Sequence, residues 1–153
     1  MRKILILFGI CGALNAGSFD ELKISVVKNF YQNQGGFKEI CDKYCTNSFK
    51  ISLLQDEEFA GDGELGCLDF DPRQAGQDDL CNDMKSEFEI SEFGDVKASL
   101  KCKGYKDTNI VYKTSCNESE CKVDDIYNID EGTAFSVKEM IYDCLKTHQK
   151  EKK

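Results

Sequence analysis

The sequence predicts an α+β fold, with two N-terminal helices, a central antiparallel β-meander and a C-terminal amphipathic helix, stapled by disulfides. Three observations lead to this prediction. Apolar residues recur at helical spacing near both ends of the chain. In the middle of the chain they alternate with polar residues, as in half-buried strands. Finally, an even number of cysteines remains once a predicted signal peptide is removed, which is typical of small secreted proteins.

The first eighteen residues have the features of a secretory signal peptide. A basic start is followed by an apolar run, Ile4–Leu14, and then by small residues up to Ser18. This run is shorter than the ~20 apolar residues that a membrane-spanning helix needs. We therefore expect cleavage after Ala16 or Ser18, no membrane span in the mature chain, and one secreted, extracellular, disulfide-rich domain over residues 19–153.

Two helices are predicted at the start of this domain. The first has apolar residues three or four positions apart between Phe19 and Phe30, and Gly35-Gly36 ends it. The second covers residues 37–45. The apolar residues of the next segment, 49–53, alternate with polar ones, so this segment is predicted to be a strand.

The cysteines are expected to form disulfides. Of the nine cysteines, Cys11 lies in the signal peptide. The other eight are Cys41, Cys45, Cys67, Cys81, Cys102, Cys116, Cys121 and Cys144. A metal site is not indicated, because the chain has one histidine, His148, and lacks a C-x-x-C pair. The two cysteines of the second helix are four residues apart, and we expect each to bond elsewhere, one of them to Cys144.

The central strands form the most regular part of the pattern. Residues 87–90 and 95–103 alternate between apolar and charged side chains, which predicts a hairpin with the loop Phe93-Gly94-Asp95. This loop would place Ile90 opposite Ala98 and Phe88 opposite Leu100. Two more strands are predicted at 109–115 and 122–129.

The C-terminal helix has a clear start signal. Ser136 and Glu139 form a capping-box sequence, S-x-x-E. Apolar residues then recur on one helical face from Val137 to Leu145, followed by His148 and a basic tail that is expected to fray.

Between the helices and the meander lies an acidic, glycine-containing segment, 56–83, which we interpret as a long surface loop. Asp56, Glu58, Asp62 and Glu64 are oxygen donors suited to calcium, but the spacing of an EF-hand is not met, so calcium binding stays open. Arg73 is the lone base between Cys67 and Cys81. An exposed Arg73 would offer a contact to trypsin-like proteases, as an inhibitor does.

One N-glycosylation sequon is present, Asn117-Glu118-Ser119. It lies between Cys116 and Cys121. A eukaryotic secretory host is therefore expected to attach glycan to Asn117.

The net charge of the chain and its lack of cofactor motifs reduce the number of function classes that suit it. The formal net charge is −8, and cleavage would make it more negative by removing Arg2 and Lys3. Such a chain is repelled by phosphate backbones, so nucleic acid is an unsuitable partner. No cofactor motif is present, and no catalytic residue is marked out.

The sequence therefore predicts an acidic secreted binding protein rather than an enzyme. Two ligands stay open, a cationic protein surface and a small apolar molecule held between helices and sheet. The alternatives are a secreted hydrolase that uses Asp or Glu carboxylates and an inhibitor-like protein that presents Arg73.

Overall fold

The computed structural model describes residues 16–61, 65–74, 83–130 and 132–151. The helices are α1 (Ala16–Gln32), α2 (Phe37–Tyr44), α3 (Asn47–Ala60) and α4 (Val137–Glu151), and the strands are β1 (Lys85–Ile90), β2 (Val96–Lys101), β3 (Thr108–Cys116), β4 (Cys121–Asp130) and β5 (Thr133–Ser136). The predicted α+β class is confirmed. The predicted signal peptide lies outside the described residues, apart from the first turn of α1.

The five strands form one antiparallel sheet in the order β1-β2-β3-β4-β5, so each strand pairs with its neighbour in sequence. This is the predicted meander, with β5 as an additional edge strand. The buried residues of β2, β3 and β4 join the core under the helices. Since side chains alternate between the two faces of a sheet, the lysine-bearing face lies on the opposite side.

The β1–β2 hairpin keeps its apolar residues on one face, as predicted, but its register differs by two residues. Phe88 pairs with Ala98, and Ile90 pairs with Val96. The turn spans residues 91–95 rather than 93–95, and Gly94 takes a positive φ of 80° within it. Both loop lengths are odd, and therefore both keep the same faces together.

Residues 49–53 are helical, so the prediction of a strand there was wrong. Phe49 and Leu53 are buried, one helical turn apart, whereas Ile51 is exposed. The helix begins after Thr46, whose Oγ1 accepts a hydrogen bond from the backbone N–H of Phe49 at 3.3 Å. The alternation of apolar residues over this segment therefore does not follow the buried face.

The Ser136 half of the predicted capping box is confirmed, and a buried carboxylate reinforces this cap. Ser136 Oγ accepts from the backbone N–H of Glu139 at 3.0 Å and donates to Asp125 Oδ2 at 2.6 Å. Asp125 also accepts from the backbone N–H of Lys138 at 3.2 Å. A negative charge at a helix N-terminus is stabilised by the helix dipole.

The core is built mainly from large side chains contributed by both layers. The largest fully buried ones are Tyr112, Phe30, Phe49, Ile40, Ile110, Ile126 and Ile141. The ring of Phe30 contacts the ring of Tyr112 edge-on, with centroids 5.7 Å apart. This contact fixes α1 over the centre of the sheet.

Candidate functional site

Arg73, predicted to be exposed, is buried, with 8% of its surface accessible. Its guanidinium pairs with Asp71 at 2.5 Å and donates to the carbonyls of Phe30, at 3.2 Å, and Gly35, at 3.3 Å. The Phe30 carbonyl belongs to the last turn of α1, where carbonyls lack an intrahelical partner. The prediction of an exposed Arg73 was therefore wrong, because a neighbouring carboxylate and free helix-end carbonyls satisfy this side chain inside the protein.

Two tyrosines hold the same segment against the sheet. The hydroxyl of Tyr31 donates to the carbonyl of Arg73 at 3.0 Å and lies 2.7 Å from the hydroxyl of Tyr112, which must therefore be the donor of that second bond. Asn128 Nδ2 donates to the carbonyl of Pro72 at 2.9 Å. Burial raises the pKa of both tyrosines well above 10, and so both stay neutral. These contacts anchor residues 71–73 and leave no free acid or base.

The carboxylate of Asp56, the first of the candidate calcium ligands, already accepts hydrogen bonds from backbone amides. It accepts from the N–H of Cys67 at 2.6 Å and of Leu68 at 3.3 Å. Gly66 lies so close that a Cβ there would be 2.5 Å from Asp56 Oδ2. Asp62 and Glu64 lie outside the described residues. Within the part of the chain that is described, no three His, Cys, Asp or Glu side chains are grouped to hold a metal ion.

The described cysteine pairs correct two expectations. Cys41 bonds to Cys45, because α2 ends at Tyr44 and the extended backbone of Cys45 brings the two Cα atoms to 4.7 Å. Cys144 bonds to Cys67, so α4 is tied to the loop rather than to α2.

The remaining described cysteines are also bonded. Cys116 bonds to Cys121 across the β3–β4 hairpin. Cys102 is disulfide-bonded as well, and Cys81 lies outside the described residues.

His148 lies within α4 rather than on a frayed tail, because the helix continues to Glu151. Its ring packs against Phe59 of α3, with centroids 5.0 Å apart. The histidine thus belongs to the contact between α3 and α4.

An open groove of about 470 Å³ runs between these two helices. We call it the α3–α4 groove. It is lined by Gln55, Glu58, Phe59, Tyr142, Leu145 and Lys146. The ammonium of Lys146 lies 5.4 Å from the ring centroid of Tyr142, a cation–π contact. Glu58 forms no ion pair among the described residues.

Large apolar side chains are exposed in this groove and along the adjoining face of α3. Phe59 is 37% exposed, Tyr142 62%, Leu54 48% and Ile51 54%. Ile51 and Leu54 lie on the same outer face of α3 as Glu58, since residues three and four apart are helical neighbours. At about 200 Å² for each whole side chain, roughly 400 Å² of this surface is exposed. Patches of this size are often functional on monomeric proteins.

Sequence reasoning missed this surface. The alternation over residues 49–53 predicts a strand, in which Ile51 shares a face with Phe49. The available signal was the cap residue Thr46 together with Leu54 and Phe59, which extend the apolar pattern at helical spacing.

Two further grooves flank the sheet. One, of about 370 Å³, lies between α1 and β1 and is lined by Lys28, Tyr31, Gln32, Ser86 and Phe88. The other, of about 230 Å³, adjoins the sequon residue Asn117. Of these three grooves, the α3–α4 groove and the sequon groove each hold one carboxylate and the third holds none, so none of them presents a pair.

The chain matches no family model, no curated protein and no solved structure. Among the described residues, no helix is both long and apolar enough to cross a membrane.

Proposed function

We propose that this chain is a secreted binding protein that holds an amphipathic helix of another protein in the α3–α4 groove. The observation that carries the proposal is the exposure of Phe59 and Tyr142 in the lining of this groove. Ile51 and Leu54 are exposed on the face of α3 that also carries the lining residue Glu58. Recognition of an amphipathic helix in a groove uses apolar anchors of this kind.

The partner is expected to bring a basic side chain to the rim. Glu58 has no ion-pair partner there among the described residues, whereas Lys146 already lies over the ring of Tyr142. A cation placed next to Glu58 would gain a charge-assisted bond at the edge of an apolar contact. The acidic balance of the whole chain favours approach of a basic partner for the same reason.

The exposed apolar area gives an estimate of how strongly the partner binds. Covering roughly 400 Å² of apolar surface contributes about 10 kcal/mol at ~25 cal/mol per Å². Association itself costs about 4–15 kcal/mol. The patch alone therefore supports weak binding, and the contact to Glu58 would add specificity and affinity.

A protein ligand suits the molecule better than a small apolar one. The space between the helices and the sheet is filled by fully buried side chains, including Phe30, Phe49 and Tyr112. The three described grooves are open clefts at the surface, whereas small-molecule sites are concave and bury most of their ligand.

Binding is also favoured over hydrolysis. Two carboxylates that share a cleft would be needed for glycosidase-like chemistry, and none of the three described grooves offers such a pair. The sole histidine packs against Phe59. The buried position of Arg73 removes the basis for an inhibitor that presents this side chain to a protease.

Secretion is part of the proposal. The described disulfides are compatible with an oxidising compartment, and the sequon lies in an exposed turn.

The test is photo-crosslinking from the groove. A benzophenone amino acid replaces Tyr142 in one variant and Tyr105, which is 71% exposed in the β2–β3 turn, in a matched control. Each protein is secreted by its source cells and irradiated in the conditioned medium. We expect a crosslinked adduct with a second, basic protein from position 142 and not from position 105.

A third variant tests the chemistry of the groove. Leu54→Glu combined with Glu58→Lys should abolish the adduct from position 142 without loss of folding, since both side chains are exposed. Adducts from both positions, an adduct of the chain with itself, or no adduct would each contradict the proposal. Turnover in a broad hydrolase screen would contradict the non-catalytic part.

A further inference from the structure

The turn that carries the sequon is held by a disulfide and by hydrogen bonds within the turn. The Cys116–Cys121 disulfide closes it, and the backbone N–H of Asn117 donates to the carbonyl of Glu120 at 2.9 Å. Asn117 Oδ1 accepts three hydrogen bonds, from the N–H of Ser119 at 2.9 Å, the hydroxyl of Ser119 at 3.2 Å and the N–H of Glu120 at 2.9 Å. None of these bonds uses Nδ2, the atom that an N-linked glycan modifies.

A groove of about 230 Å³ begins at this side chain. Its lining joins the hairpin, through Ser115, Cys116, Asn117, Glu120 and Lys122, to the start of α3, through Thr46 and Asn47. This is smaller than the ~300–1,000 Å³ of sites for drug-sized ligands. The size suits a single ring rather than an extended molecule.

The two sides of the groove are held together by backbone contacts. The N–H of Thr46 donates to the carbonyl of Val123 at 2.8 Å, and Cys45 forms an isolated bridge with Val123. Thr46 Oγ1 donates to Asp124 Oδ1 at 2.8 Å. The first turn of α3 therefore keeps a fixed position beside the β3–β4 hairpin.

The lining of this groove is mainly polar. Asn47, Ser115, Glu120 and Lys122 supply amide, hydroxyl, carboxylate and ammonium groups, which can satisfy hydroxyl and acetamido groups. Lys122 and Glu120 are 3.6 Å apart and both are partly exposed. A surface pair of this kind is weak and can exchange partners readily.

We propose that this groove is the binding site for the first N-acetylglucosamine of a glycan on Asn117. The sugar would lie across the hairpin and contact Asn47, and so link β3–β4 to the N-terminal turn of α3. Because Asn117 is already fixed by its turn, little conformational freedom is lost when the sugar docks. The inference rests on secretion and on modification of the sequon, and it is independent of the α3–α4 groove.

The experiment compares three forms of the secreted glycoprotein. One keeps its full glycan, one is trimmed by an endoglycosidase to a single N-acetylglucosamine, and one is Asn117→Gln, which carries no glycan. Hydrogen exchange of the backbone amides is measured over residues 47–50 and, as an internal control, over the β1–β2 turn. We expect the first two forms to show at least threefold slower exchange at 47–50 than the third, with no difference in the turn.

Two variants separate docking from a general effect of glycan. Asn47→Ala with Lys122→Ala should abolish most of the protection at 47–50 while Asn117 stays glycosylated, and Lys113→Ala, an exposed lysine on β3, should leave it unchanged. In the trimmed form, NMR should show contacts between the acetamido methyl group and Asn47. Equal exchange in all three forms, absence of those contacts, or an unmodified Asn117 would each overturn the inference.

Discussion

Arg73 is a cation with one partner in its own segment and others at the end of α1 and just beyond it. Asp71 precedes it by two residues, and the carbonyl of Phe30, in the last turn of α1, accepts a hydrogen bond from its guanidinium. The position of Arg73 in an acidic, glycine-containing stretch suggested exposure. Burial instead depends on contacts with α1, more than thirty residues away, and a local pattern carries no information about them.

Replacing Arg73 should therefore destabilise the protein far more than replacing an exposed cation. We expect Arg73→Ala to lower the free energy of unfolding by about 3 kcal/mol, because it leaves Asp71 without its buried partner. Arg73→Lys should cost less, since the charge is kept while the forked geometry is lost. Urea unfolding measures both variants.

Lys101→Ala is the matched control, because Lys101 forms an exposed pair with Glu87 at 3.1 Å. Its cost should lie below about 1 kcal/mol. Native protein should also resist tryptic cleavage after Arg73. Equal costs for the two alanine variants, or rapid cleavage at Arg73, would contradict the buried position.

The buried tyrosines predict a loss of stability in alkali. The pKa of Tyr31 and Tyr112 is raised in the folded state, chiefly by burial. Their protonated forms are therefore favoured by folding, and this contribution is complete below the unfolded pKa of about 10 and declines as pH rises above it. In that range each such tyrosine lowers the free energy of unfolding by up to about 1.4 kcal/mol for every pH unit.

The measurement combines absorbance titration of the six tyrosines with urea unfolding between pH 8 and 11. Two tyrosines should stay un-ionised until the protein unfolds. Tyr112→Phe should make the decline of the free energy of unfolding with pH shallower, by the amount that corresponds to about one proton. Reversible ionisation of all six near pH 10 with the fold intact would show that these hydroxyls are not buried as described.

At the scale of elements, α3 shows where a periodic pattern fails. Phe49, Ile51 and Leu53 satisfy the two-residue period of a strand, but only the first and third are buried. Tertiary packing decided the outcome, because Phe49 and Leu53 face the core on successive helical turns and Thr46 caps the first. Longer alternating segments were predicted correctly, since β2 and β3 offer several consecutive inward positions.

A pair of alanine variants distinguishes helix from strand over residues 49–53. In a strand Ile51 and Leu53 would share one face, whereas in α3 only Leu53 is buried. We expect Leu53→Ala to lower the free energy of unfolding by about 2–4 kcal/mol. Ile51→Ala should change it by less than about 1 kcal/mol. Similar large losses for both would favour the strand.

For the whole molecule, the pattern of apolar residues was sufficient to predict the fold class but not the disulfide pairs. Each hairpin of the meander follows from neighbouring segments, which makes the topology local. Disulfide pairing is different, because the sequence around a cysteine can indicate that the cysteine is buried but does not indicate which cysteine it bonds to. Cys144 was expected to meet α2, but α4 packs on α3 instead, where Cys67 of the adjoining loop reaches it.

That bond should be the largest single covalent contribution to stability among the three described. Cys67 and Cys144 are separated by 77 residues, and Cys116 and Cys121 by 5. A cross-link restricts the unfolded chain more when it closes a longer loop. Replacing both members of the long pair by serine should therefore cost about 4 kcal/mol, against about 2 kcal/mol for the short pair.

Urea unfolding of the two double variants measures this difference, and peptide mapping of the unmodified protein supplies the control on pairing. Mapping should recover the three described pairs, Cys67–Cys144, Cys41–Cys45 and Cys116–Cys121. If the short-loop variant were as unstable as the long-loop one, local strain in the hairpin rather than loop closure would set its cost. Recovery of Cys144 with Cys41 or Cys45 would refute the described arrangement of α4.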